Sequence, residues 1–119
     1  MQNFRDLKVW SKAHAAALSI YKATDLFPAS ERYGIAGQMR RAAASVPASI
    51  AEGCGRSSNA DLARVLHISM GSASELEHFL LLARDLRMLD AATHDTILAD
   101  VQEVKRMLAS LIARVKADN

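Results

Sequence analysis

Apolar residues recur along this chain at the three- and four-residue steps of an α-helix, in four separate segments. At about 100° per residue, the first segment collects its apolar residues on one side and its lysines on another. The apolar stripe consists of Leu7, Trp10, His14, Ala17, Leu18 and Tyr21. We therefore predict a helix over residues 6 to 26, with His14 as a hydrogen-bonded histidine of the core. Phe27 and Pro28 end it, because the residue before a proline avoids helical geometry.

The other three segments have recognisable ends. Ser30 followed by Glu31 is typical of a helix N-terminus and predicts a second helix over residues 31 to 54. A third helix is predicted over residues 59 to 88, with an apolar arc wide enough to contact more than one neighbour. Asp90 is the predicted N-cap of a fourth helix over residues 91 to 116.

Long helical segments joined by short connections, without the alternation typical of a strand, predict an all-α protein. A length of 119 residues suits one hydrophobic core. We expect a single domain over residues 1 to 119, folded as an antiparallel up-down-up-down four-helix bundle.

Pro47 lies in the middle of the second predicted helix, where a proline removes a hydrogen bond and costs about 3 kcal/mol. The helix either bends there or breaks and restarts. The side of the helix that carries Pro47 is made mostly of small residues, which suits a subunit interface but also suits a solvated face of good helix formers. The predicted interface set is Ala36, Arg40, Ala43, Ala44, Pro47 and Ala51.

A third side of the same helix is polar, and its residues follow one another at helical contact spacing. These residues are Gln38, Arg41, Ser45, Ser49, Glu52 and Arg56. We expect a hydroxyl or a water molecule from this stripe to satisfy the Ala43 carbonyl, which Pro47 deprives of its usual donor.

Charge and cysteine content constrain function only broadly. The net charge of +2 permits a nucleic-acid partner without establishing one. A single cysteine, Cys54, excludes an internal disulfide and fits a reducing compartment. The N-terminal segment does not have the pattern of a signal peptide, and the longest uncharged run, residues 42 to 51, is half a membrane span. We expect a cytoplasmic protein that does not contact membranes.

Three sequence motifs resemble one known family. They are FxxLxVW at the N-terminus, FPxxExYGIxxQMRRAAxSVPxxIAEGxGR over residues 27 to 56, and GSxxELE over residues 71 to 77. The chain resembles the four-helix-bundle proteins encoded in intervening sequences of large-subunit ribosomal RNA genes. It departs from them at Ser49, where that family usually has asparagine.

The resemblance implies a bundle that assembles into five-membered homo-oligomeric rings, with no established enzymatic activity and no cofactor. It also implies a structural role for a set of polar positions: Glu31, Gln38, Ser45, Glu52, Ser72 and Glu75. The accessory variability determinant of diversity-generating retroelements has a similar fold, is basic, and binds nucleic acid and a reverse transcriptase.

The leading functional hypothesis is a non-enzymatic oligomeric scaffold that contacts RNA or DNA, or a nucleic-acid-processing protein. A ring would repeat a modest basic patch into a continuous band, and such a band binds phosphates with avidity. The predicted basic set is Lys8, Lys12, Lys22, Arg40, Arg41 and Arg56. The alternative is a protein-interaction ring that does not bind nucleic acid.

Two kinds of catalytic or metal chemistry have weaker support. Arg87 and His94 resemble the paired arginine and histidine of the helical HEPN ribonucleases, with roles in acid–base chemistry and phosphate binding. Glu75 and His78 have the spacing of one half of a di-iron site, but the second half is absent from the sequence. We expect no metal site and no enzymatic activity.

Overall fold

The computed structural model describes residues 3–118, which form four α-helices and two short 3₁₀ turns without a strand. The helices are α1 (Lys8–Thr24), α2 (Ile35–Cys54), α3 (Asn59–Asp85) and α4 (Ala91–Ala117), and the 3₁₀ turns are Phe4–Asp6 and Ala29–Glu31. The prediction of an all-helical chain with four long helices is confirmed.

Side-chain contacts between helices set the topology. Arg41 reaches Glu75, and Ser69 reaches the backbone of Val46, so the residue numbers of α2 and α3 run in opposite directions. Consecutive helices pack side by side, α4 closes the bundle against α1, and within residues 3–118 the diagonal pairs do not approach each other closely. The result is an antiparallel bundle of 46 × 23 × 20 Å. None of the described helices combines the length and the apolar character that a bilayer span requires.

Small buried side chains of α1 and α2 face each other at the centre of the bundle. Ala13 and Ala16 of α1 and Ala43 of α2 are all buried, and they line the same narrow apolar space at the centre of the bundle. Pro47, one turn beyond Ala43, is also buried. Alanine fits this narrow space because it has no side chain beyond Cβ.

This packing corrects the predicted subunit interface. Ala36 and Ala43 are only 6% and 1% exposed, and Pro47 is buried as well, so these three residues lie in the interior of a single chain. The small side chains do admit a neighbouring helix, as their size suggests, but that helix is α1 of the same molecule. Of the predicted set, Ala44 is exposed and Ala51 is half-buried.

The α2 helix runs through Pro47 without a break. Beside it, the Ser69 hydroxyl of α3 is fully buried and donates a 2.8 Å hydrogen bond to the Val46 carbonyl. The predicted hydrogen bond to the Ala43 carbonyl is therefore not the one that the structure has, and the donor comes from α3 instead of the polar stripe of α2. Its acceptor is Val46 instead of Ala43.

The start of α2 differs from the prediction. Ser30 and Glu31 belong to a 3₁₀ turn, and the helix begins four residues later, at Ile35. Gly34 separates the two elements with φ −102° and ψ −124°, which lies outside the helical region. The prediction that the second helix starts at Ser30 is therefore wrong. Ser30 belongs to a 3₁₀ turn, and the backbone of Gly34 interrupts the helical geometry before α2 begins.

The buried side of α1 also differs from the prediction. Its buried residues are Val9, Ala13, Ala16, Ile20 and Thr24. The predicted stripe lies roughly a quarter-turn away, and His14, Leu18 and Tyr21 are exposed. His14 is therefore not a core histidine. The largest apolar residues of α1 indicate one side of the helix, whereas packing against the other helices buries the side that carries the alanines.

The ends of α3 and α4 are well defined. Ser58 caps α3 by accepting a hydrogen bond from the Asp61 amide. The predicted cap of α4 is confirmed, since Asp90 accepts from the amide and the hydroxyl of Thr93. These hydrogen bonds, with the backbone amide as the larger cause, lower the pKa of Asp90.

The C-terminus of α3 contains the one non-glycine residue with positive φ in residues 3–118: Arg87, at 61°. The Arg87 amide bonds the Arg84 carbonyl and the Met88 amide bonds the Ala83 carbonyl, both at 2.9 Å, which is the Schellman pattern. Glycine is the usual residue at this position. Arg87 thus closes α3 at some conformational cost.

We expect Ser69→Ala to lower the free energy of unfolding by about 1 kcal/mol, because it removes a buried hydrogen bond. Ser74→Ala is the matched control, since Ser74 is exposed on the same helix. The control should be neutral or slightly stabilising, because alanine favours helix formation. Urea denaturation of both variants measures the difference, and equal stabilities would contradict a role for the Ser69 hydroxyl.

We expect Arg87→Gly to raise the free energy of unfolding by about 1 kcal/mol, because glycine adopts positive φ without a Cβ clash. Arg87→Ala removes the same charge and keeps the strain, so it should not stabilise the protein. Thermal or urea unfolding of the pair checks this expectation. A gain of equal size in both variants would assign the effect to the charge instead of the backbone.

Candidate nucleic-acid interface

The three predicted lysines lie on the outer surface of α1. Lys8, Lys12 and Lys22 are exposed, and among residues 3–118 none of them takes part in an ion pair. At 1.5 Å per residue, the first and the last are about 21 Å apart along the helix. Their charges are therefore available to a ligand along most of α1.

A groove between α1 and α4 adjoins these lysines. Near the start of α1 it encloses about 460 Å³ lined by residues that include Lys8, Arg106 and Arg114. Near the other end it encloses about 470 Å³ beside Lys22. Asp6 and Glu103 also line the groove, and Glu103 pairs with Arg106 at 2.8 Å. The groove is thus polar, with a modest excess of positive charge.

Arg40, a member of the predicted basic set, contacts α1. Its guanidinium bonds the Thr24 hydroxyl at 2.7 Å, the Tyr21 carbonyl at 3.1 Å and the Asp25 carboxylate at 2.8 Å. The same group lies 4.9 Å from the centre of the Tyr21 ring. Arg40 therefore acts as a clamp between the end of α1 and the first half of α2.

Arg41 lies on the other side of α2 and contacts α3. It bonds Glu75 of α3 at 2.6 Å and Gln38 at 3.2 Å. One turn further, the Ser45 and Ser72 hydroxyls are 2.9 Å apart. Two separate hydrogen-bonded groups, Gln38–Arg41–Glu75 and Ser45–Ser72, thus lie between α2 and α3.

Arg56 is surrounded by acidic side chains at the end of α2. It contacts Glu52 in the preceding turn and approaches Asp61 of α3 at 3.4 Å. The hydrogen bond with Glu52, followed by the charge of Asp61, raises the pKa of Arg56. Glu31, the remaining motif position, lies apart from these contacts in the 3₁₀ turn before Gly34.

The six predicted basic residues therefore do not form one patch. The lysines of α1 lie on the flank that faces α4, whereas the three arginines occupy seams between helices and the end of α2. The arginines form ion pairs with acidic side chains of the protein itself. Of the six predicted residues, only the lysines therefore have charges that are free to contact a ligand.

The structure does not support the ribonuclease pair. His94 is 2% exposed, and its Nδ1 lies 2.9 Å from Asp95 Oδ1. Arg87 is exposed in the turn that ends α3, where its backbone has a structural role. A buried imidazole is unable to reach a phosphodiester at the surface, so this hypothesis is wrong. Within residues 3–118, no group of three or more His, Cys, Asp or Glu side chains is placed to hold a metal ion.

The structure has two exposed apolar surfaces, of which the sequence pattern indicated only the second, and only in part. The first is on α1, where Trp10 and His14 stack and Tyr21 is exposed. The second is on α3, where Ile68, Leu82 and Leu86 are 50%, 37% and 52% exposed. The wide apolar arc of α3 indicated the second surface. The first surface was not predicted, because the sequence pattern indicated the wrong buried side for α1.

The α3 surface adjoins the outer side of α2. Ile68 lies one turn before Ser72, which contacts Ser45 of α2. On α2 the neighbouring outward residues are small: Ala44 and Ala48 are both exposed. A shallow apolar surface therefore extends across two helices on the side of the bundle away from α4.

Comparisons with known proteins agree with this fold. The chain is similar to a crystallised protein of unknown function from the S23 ribosomal protein family of Bacteroides thetaiotaomicron VPI-5482. The two share 26% identity and a TM-score of 0.82 over 87% of this chain and 97% of the other. No curated protein matches the chain.

The sequence also matches a family model over residues 5–110, which include every α-helix except the last turns of α4. That family is described as the 23S rRNA-intervening sequence protein, and neither description names an enzymatic activity. The match covers most of the chain and includes the second and third motifs on which the resemblance was based, and all of the first except Phe4. The chain therefore belongs to the 23S rRNA-intervening sequence protein family.

Proposed function

We propose that this protein is a non-enzymatic, homo-oligomeric scaffold that binds nucleic acid through the outer surface of α1. The observation that supports binding is the set of three exposed lysines, Lys8, Lys12 and Lys22, without ion-pair partners among the described residues. The other charged side chains of the helix seams neutralise one another. A row of free cations attracts a phosphate backbone and releases its counterions.

The apolar surface of α2 and α3 supports self-association. Ile68 leaves apolar area in water next to Ala44 and Ala48, and Leu82 and Leu86 leave more towards the end of α3, beyond the Arg41–Glu75 ion pair. Burial of such area against a second copy is favourable. The resemblance that we drew from the sequence implies a ring of five. In such an assembly the lysines of α1 lie on a different side of each bundle, so they stay open to a ligand.

Several subunits that bind the same strand would compensate for the low charge of a single subunit. Three free lysines per subunit would give weak binding, whereas several copies on one strand act at a high effective concentration. The same assembly would serve as an adaptor if a nucleic-acid-processing protein occupies another face. The protein-interaction ring without nucleic acid is the competing function, supported by the α3 surface alone.

We expect Lys8→Gln/Lys12→Gln/Lys22→Gln to weaken RNA binding and to lower the slope of log affinity against log salt by about 3 for each subunit that contacts the strand, one for each phosphate contact removed. The matched control is Arg64→Gln/Arg84→Gln/Arg87→Gln, which removes three exposed charges on or just after α3, diagonally opposite α1. Fluorescence anisotropy with a labelled short RNA, at several salt concentrations, measures both quantities.

Equal losses in the two variants would mean that only net charge matters and would contradict a site on α1. Absence of binding by the wild-type oligomer at low salt would remove nucleic acid from the proposal. The interaction ring would then be the better description.

A further inference from the structure

The exposed imidazole of His14 ends a fixed aromatic stack. Its centroid lies 4.8 Å from that of Trp10, with an angle of 15° between the rings. Phe4 contacts Trp10 edge-on at 5.0 Å, and Trp10 itself is half-buried against the core. The indole is thus held in place, and it holds one face of the imidazole. His14 is exposed, so part of its imidazole is in contact with water, and Leu18 follows one turn later.

Tyr21 provides a second flat surface on the same flank of α1. It lies seven residues after His14, which is two helical turns or about 10.5 Å along the axis. Arg40 covers one side of its ring at 4.9 Å, and hydrogen bonds to Thr24 and Asp25 hold the guanidinium there. Tyr21 is 44% exposed, so its ring, like that of His14, keeps surface in water.

The free lysines lie on the other flank of the same helix. Along the outward ridge between the two flanks, Ser11 and Ala15 beside His14 are exposed and small, whereas Leu18, which lies between His14 and Tyr21, is large and 56% exposed. An α-helix with its side chains is about 10–12 Å wide. A ligand that crosses the ridge at Ser11 and Ala15 can therefore place anionic groups at the lysines and flat groups against the rings, with Leu18 as an apolar contact between them.

We infer that α1 binds single-stranded nucleic acid, with phosphates at Lys8, Lys12 and Lys22 and unpaired bases stacked on His14 and Tyr21. This inference rests on the proposed function and specifies the form of its ligand. Single strands offer free base faces, and proteins bind them by combining a cationic track with aromatic surfaces. A duplex keeps its base faces inside the helix, so it can use only the lysines.

The spacing of the two rings fits such a strand. At 3.4 Å per stacked nucleotide, about 10.5 Å corresponds to about three steps. A strand that lies along α1 therefore passes both rings within a few nucleotides. Because every base has an aromatic face, the binding should depend little on sequence.

The test uses the full-length protein with a short single-stranded RNA, the matching DNA, a duplex of equal length and an abasic strand of equal charge. His14→Ala should weaken single-strand binding about tenfold, the loss expected for one stacked base. It should leave duplex and abasic binding unchanged, and His14→Phe should restore the affinity. His67→Ala, an exposed histidine on α3, is the control. Trp10 is the only tryptophan, and its fluorescence should change with the single strand alone.

The outcomes separate this inference from the function on which it rests. Equal binding of single-stranded, duplex and abasic ligands, with no effect of His14→Ala, would overturn base stacking and leave the lysine site intact. Failure of every ligand to bind would overturn both. A change in the mass of the protein on His14→Ala, without a change in affinity, would make the stack a contact between copies and would also overturn the inference.

Discussion

The burial of the alanines of α1 against the other helices is the constraint on which the rest of this structure depends. Ala13 and Ala16 pack on the side of α2 that carries Ala43 and Pro47. This contact sets the rotation of α1 about its own axis. With its alanines inward, α1 must turn its aromatic residues and its lysines outward, so packing decides which surface the protein presents.

The ion pairs follow from the same arrangement. Once the helices are in place, Arg40 clamps α2 to the end of α1, while Arg41 joins α2 to α3 through Glu75. Exposed pairs of this kind contribute little to stability, typically about 0–1 kcal/mol. Their larger effect is on function, because they remove arginine charge from the surface and leave the lysines of α1 as the free cations of the predicted set.

Much of the fold could be predicted from the sequence, because helical periodicity and the Asp90 cap are local signals. The rotation of α1 could not, since its large apolar residues indicated one side while the packing of small residues selected another. His14 was misplaced for this reason. The hydrogen bond beside Pro47 could not be predicted either, since Ser69 reaches the Val46 carbonyl only through the antiparallel pairing of α2 and α3. The candidate site shares this limit: the lysines were identified correctly as exposed residues, but the partners of the arginines lie on other helices.

The central claim is that the small residues of α2 are divided between two neighbours, with Ala43 facing α1 and Ala44 facing another copy. Light scattering on two adjacent substitutions tests it directly, together with circular dichroism to monitor folding. The account predicts an oligomeric wild type, a folded monomer for Ala44→Glu, and loss of folding for Ala43→Glu, because a buried unpaired charge is costly. A monomeric wild type, an Ala44→Glu variant that keeps the wild-type mass, or an Ala43→Glu variant that folds would contradict it.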